Sequence, residues 1–150
     1  MEMTRRGLFR FGAAAVLTAV VASAPVAIAA PILWGDGEHD DTEALQAALD
    51  GKPVTVAGER IRILEGAFVG GVFAVSRTIV VADKQNWVLS DVTILATEEY
   101  ASDNLIECRN LHHCVIDFLK LDHRKPSERK AAAEWRSPES DWFRGVTLVA

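Results

Sequence analysis

With 150 residues, 49% of them hydrophobic and 25% charged, the chain has the length and apolar content of one globular domain with one core. A formal net charge of -5 offers no basic field to a polyanion, which argues against a nucleic-acid partner. Two cysteines exclude a disulfide scaffold, and neither belongs to a Cys-x-x-Cys metal or redox pair.

Residues 1–29 read as a signal peptide. Arg5, Arg6 and Arg10 precede an uncharged, alanine-rich run from Phe11 to Ala30, and Ala27-Ile28-Ala29 places small residues where a signal peptidase reads, so cleavage is expected after Ala29. The order Thr4-Arg5-Arg6-Gly7-Leu8-Phe9-Arg10 is similar to the twin-arginine export signal of bacteria, with its aromatic and leucine positions exchanged. Cleavage would remove three arginines and Glu2, taking the formal charge from -5 to -7. The expected destination is exported, periplasmic or secreted, where disulfides persist. The membrane would be met only through this signal.

Residues 30–53 form a cap segment. Gly35 and Gly37 around Asp36 mark a tight turn. Asp40 followed by Glu43 predicts a capping box, after which Ala44, Leu45, Ala48 and Leu49 form one apolar stripe until Gly51 and Pro53 end the helix. Asp36, Asp40, Asp41 and Thr42 are explained by turn and cap duty, and no metal is assigned to them.

From residue 54 to 150 the pattern is that of strands. Val54 and Val56, then Ile61 and Ile63, lead through Gly66 and Gly70-Gly71 into Val72–Val81. Val88–Ile94 has counterparts about 27 residues on at Val115–Leu121 and again at Trp142–Leu148. Each ends apolar, polar, apolar: Val92-Thr93-Ile94, Leu119-Lys120-Leu121 and Val146-Thr147-Leu148. Leu89, Ile116 and Phe143 stand on the opposite parity, so the inward face changes phase near Ser90 and Asp91, as at a corner between two short strands. Asn104–Glu107 matches Arg77–Val80 at the same interval. The pattern predicts an all-β fold: a right-handed parallel β-helix, a single-stranded solenoid with a short N-terminal capping α-helix, in which Val92, Leu119 and Val146 share one inner column. Residues 124–141 are a polar loop with a helical piece at Glu128–Trp135. The apolar final strand would leave an open edge, which predicts a truncated product lacking its active site, or a partner or second copy over that edge.

The run Gly-Asp-Gly-x-x-Asp-Asp-Thr-x-x-Leu-Gln-x-x-Leu, Gly35 to Leu49, resembles the opening of the pectate-lyase-like superfamily, which includes rhamnogalacturonase-type, alginate-epimerase-type and tailspike proteins. The resemblance implies a right-handed β-helix and an exported protein acting on acidic polysaccharide, as lyase or glycoside hydrolase. The alternative it implies is a non-catalytic module that binds glycan or assembles. Elimination needs a base and cationic charge against the enolate, and hydrolysis needs two opposed carboxyl groups. The outward candidates are Asp117, Asp122, His123 and Arg124 for catalysis, and Lys125, Trp135 and Trp142 for binding a uronate-containing chain. No cofactor is assigned from the residues; a lyase would call for calcium. Cys108 and Cys114 would close a disulfide loop in an exported protein if the turn brings their Cα atoms within about 7 Å. A zinc site with His112 and His113 is disfavoured, because neighbours on a strand face opposite ways.

Overall fold

The structure, a computed structural model, describes residues 29–134 and 144–149. The leader through residue 28, Trp135, Trp142 and Phe143 lie outside the described residues. The chain runs through β1 (Ile32–Leu33), β2 (Asp36–Asp40), α1 (Thr42–Leu49), β3 (Thr55–Val56), β4 (Arg62–Leu64) and β5 (Ala67–Val69). It continues through β6 (Val72–Val75), β7 (Ile79–Gln85), β8 (Val88–Ala96), β9 (Ile106–His112), β10 (Val115–Asp122), α2 (Pro126–Glu134) and β11 (Arg144–Val149).

Strand β8 is the hub. Its first half pairs in parallel with β5, its second half with β6, and its whole length with β10. Leu89 and Val92 are both buried although three positions apart, because Asp91 takes a positive φ of 57° and resets the parity between them. Register then stacks like residues. Phe68, Leu89 and Ile116 form one buried column, and Phe73 with Ile94 starts a second that Leu121 continues. Across the core, β7 and β9 pair in parallel, with Ile79 beside Ile106. Their left-handed residues coincide as well: Asp83 and Asn110 have φ of 55° and 47°, and Asn110 donates to the Asp83 carboxylate at 2.7 Å.

Two expectations are overturned. The chain does not form a regular single-stranded right-handed parallel β-helix: its seven-stranded sheet is mixed, flanked by the separate two-stranded sheets β1–β3 and β7–β9. Within it β4 runs antiparallel to β5, and the third repeat, β11, runs antiparallel to β10, with Ile116 opposite Leu148 and Phe118 opposite Val146. The reason lies in the connections, since β4 and β5 are joined by the short turn at Gly66 and β11 returns after α2 rather than after another circuit. The shared column of Val92, Leu119 and Val146 also fails. Register passes from Phe118↔Val92 to Lys120↔Thr93, so Leu119 is the extra residue of a bulge and is 54% exposed. Phe118 fills the inner place instead.

Helix α1 closes one side of the core with Ala44, Leu45, Ala48 and Leu49. It also occupies a strand edge. The Gln46 side-chain amide donates to the Val80 carbonyl and accepts from the Val80 N–H, both at 2.9 Å, so a side chain satisfies both backbone groups of β7 there. The helix ends in a Schellman turn, with Gly51 at φ 75° and hydrogen bonds from Gly51 N–H to Ala48 and from Lys52 N–H to Ala47.

The expected capping box is absent. Asp41 is the N-cap residue, yet its fully buried carboxylate turns away from the helix and accepts from Trp34 N–H at 2.7 Å and Gly35 N–H at 2.9 Å. Asp40 accepts from Thr42 N–H at 3.0 Å, and Glu43 pairs with Arg77. Thr42 Oγ1 in turn receives Ser76 N–H at 2.8 Å, tying the helix start to the end of β6.

Three outcomes follow from this geometry. Gln46→Ala strips Val80 of both partners and is expected to cost about 1–3 kcal/mol, with faster hydrogen exchange at the Val80 amide. Gly51→Ala, with open space around its Cβ, should lose only the left-handed strain of about 1–2 kcal/mol. A Cβ at Gly70, φ 81°, would strike the Arg60 carbonyl oxygen, so Gly70→Ala should lose about 2–4 kcal/mol, both glycine variants being read from urea denaturation midpoints.

Candidate functional site

The end of β10 carries most of the sequence-derived candidates, and there they separate. Asp122 is buried, and its carboxylate is saturated. Oδ1 accepts from Arg124 N–H at 3.1 Å and Nε at 2.9 Å, while Oδ2 faces an Arg124 terminal nitrogen at 2.7 Å and Lys120 Nζ at 3.3 Å. Burial pushes its pKa up, but the hydrogen bonds from the Arg124 side chain, the Arg124 N–H and Lys120 outweigh that and hold it at about 2. Asp122 and Arg124 are thus a mutual anchor at the strand's end. Neither has the spare lone pair or mobile proton that acid–base work requires.

That anchor seats α2. Glu128 reaches back to Lys125 N–H at 2.8 Å, with Pro126 in the first helical position, and Glu98 accepts from Ser127 N–H at 2.6 Å and Ser127 Oγ at 3.1 Å. Arg129 donates to the carbonyls of Ala96, at 3.0 Å, and Arg124. Lys125 therefore serves the helix entry through its backbone. Asp117 is half-buried on β10, opposite Thr147 of β11.

His123 goes elsewhere. It is exposed and, with Leu121, lines a hollow of about 340 Å³ whose other walls are Asp103, Asn104, Leu105 and Ile106. The floor is apolar, from Leu105, Ile106 and Leu121, and the rim is polar, from Asp103, Asn104 and His123. The rim is fixed from behind, because the Asn104 carbonyl accepts from Thr78 Oγ1 at 2.6 Å and from the hydroxyl of buried Tyr100. Sequence reasoning missed Asp103 to Ile106 as site residues. Asn104–Glu107 reads simply as a strand, and only the approach of β9's start to β10's end makes a cavity of it.

The cap residues hold no ligand site. The carboxyl group of Asp36, held at about 2 by Glu38 N–H, His39 N–H and the His39 ring, is committed to its own turn; those of Asp40 and Asp41 are engaged as described above. Gly35 and Gly37 adopt φ of 62° and 78° in that turn, where Trp34 stacks on His39 at 4.5 Å. Among the described residues no three His, Cys, Asp or Glu side chains converge as a group that could hold a metal ion.

Cys108 and Cys114 are both free. His113, φ 53°, turns the chain so that the buried Cys114 thiol faces the carbonyls of Lys84 and His112, each at 3.4 Å, while Cys108 sits along β9 beside Val81. The expected disulfide loop is not formed. Comparison with known proteins adds nothing to this geometry: no family model, curated protein or solved structure matches the chain.

The ion-paired carboxylate sets an acid response. The Asp122 pKa lies below its ordinary value, so the ionised group stabilises the fold above about pH 4. That contribution should fade as pH falls toward 2. Asp122→Asn should cost about 2–3 kcal/mol at pH 7 and flatten the stability profile between pH 4 and 2, as followed by denaturant midpoints.

Proposed function

We propose that this chain is an exported, non-catalytic saccharide-binding module. The observation that carries this reading is the hollow between the start of β9 and the end of β10, with an apolar floor and a polar rim on a braced loop. A sugar ring has the matching character: C–H faces that favour apolar contact and hydroxyl edges that need hydrogen-bond partners. At about 340 Å³ the space lies at the low end for small-molecule sites, roughly 300–1,000 Å³. Support from the sequence is the export signal of residues 1–29 and the likeness of Gly35–Leu49 to a group of polysaccharide-acting and polysaccharide-binding proteins.

Binding is favoured over bond cleavage by the state of the candidate catalysts. Asp122 and Arg124 satisfy one another, and among the described residues the His123 ring has no carboxylate partner to orient it as a base. It is suited to hydrogen bonding at a rim.

The mature chain should be retained by at least one member of a panel of immobilised polygalacturonate, its methyl ester, alginate and rhamnogalacturonan. Neither ultraviolet-absorbing unsaturated products nor new reducing ends should form. His123→Ala should weaken retention about five- to tenfold, the worth of one hydrogen bond, with the circular dichroism spectrum unchanged. Product formation would remove the non-catalytic reading. Retention indifferent to His123→Ala would remove the hollow.

A further inference from the structure

We infer that the hollow selects uncharged saccharides and rejects uronates, an inference that rests on the binding reading above. Among the described residues its lining contains one carboxylate, Asp103, and no lysine or arginine. Of the basic residues at the adjoining end of β10 and in α2, Lys125 and Lys130 do not line the hollow, and the others are already committed. Lys120 and Arg124 are bound to Asp122 at 3.3 Å and 2.7 Å. Arg129 is directed onto the carbonyls of Ala96 and Arg124.

A uronate carboxylate laid over Leu105 and Leu121 would lose water and find neither a guanidinium fork nor an ammonium group among the described lining residues in exchange. It would also meet the like charge of Asp103. A hydroxyl or ester at the same position carries no such penalty, and Asp103 becomes an asset, since an ionised carboxylate accepts short, strong hydrogen bonds from sugar hydroxyls.

The decisive comparison holds the sugar backbone constant and removes its charge: polygalacturonate against fully methyl-esterified polygalacturonate, by calorimetry or affinity electrophoresis. The ester should bind at least about tenfold more tightly in 0.05 M salt. Raising salt should narrow the gap by screening the repulsion felt by the free acid. Asp103→Asn should narrow it too, and Asp103→Lys should reverse it; the asparagine variant decides the matter if the lysine variant does not fold. Equal affinity for the two polymers, or tighter binding of the free acid by the unaltered chain, overturns the selectivity and leaves the binding module standing. If neither polymer nor any other member of the panel is retained, the binding reading falls and the selectivity with it.

Discussion

One left-handed residue in the middle of β8 governs the architecture. A straight strand presents alternate residues to one face, so Leu89 and Val92 cannot both be buried by β8 unless the parity resets between them. Asp91, at φ 57°, performs that reset. An aspartate tolerates the left-handed region better than a branched residue would. Because the reset divides β8 into two inward-facing halves, β5 and β6 can dock on the same strand end to end, and β10 can follow both. The columns of Phe68, Leu89 and Ile116 and of Phe73 and Ile94 are the consequence.

Stacking in register solves the core and exposes the edges, and the edges account for much of the polar chemistry. The Gln46 amide fits the backbone of Val80 as another strand would. Lys84 Nζ meets the Leu49 carbonyl at the helix's last turn, where the C-terminal end of the dipole favours a cation. Asp41 spends both oxygens on the Trp34–Gly35 turn, so the helix start is held to the chain before it and, through Asp41 N–H, to Ala74 of β6 at 2.8 Å. Helix α1 is therefore attached through polar contacts to backbone that would otherwise be unsatisfied, as well as through its apolar stripe.

The sequence made the local rules legible and left the long-range ones hidden. The apolar stripe of α1, the phase change near Asp91 and the pairing of Ile79–Val80 with Ile106–Glu107 are all visible as periodicity, because each depends on neighbours in the chain or on a fixed interval. The antiparallel return of β11 is not. Antiparallel and parallel placement of the same alternating segment bury the same parity, so the pattern cannot distinguish them. Leu119 misleads for a related reason: a bulge displaces one residue without changing composition, and Phe118 is as apolar as the leucine it replaces inside. At the site, His123 is legible only as one of a run of outward polar residues following the apolar β10 pattern. Asp103 to Ile106 carry no local mark, since their role arises only where two strand ends distant in sequence meet.

The same contrast explains why charge in the sequence is a poor guide to chemistry here. Asp117, Asp122, His123, Arg124 and Lys125 look like a reactive cluster when read as a string. Folded, Asp122 draws Lys120 and Arg124 onto itself, the Lys125 backbone caps α2, and His123 alone is left facing the hollow. A buried carboxylate with two cations is low in energy because every lone pair is used, and a group in that condition has nothing left to offer a substrate. Catalysis requires charge held short of satisfaction. At this strand end the charges of Lys120, Asp122 and Arg124 are spent on structure, and among the described residues the hollow beside them is lined by an apolar floor and a few neutral or acidic hydrogen-bonding groups.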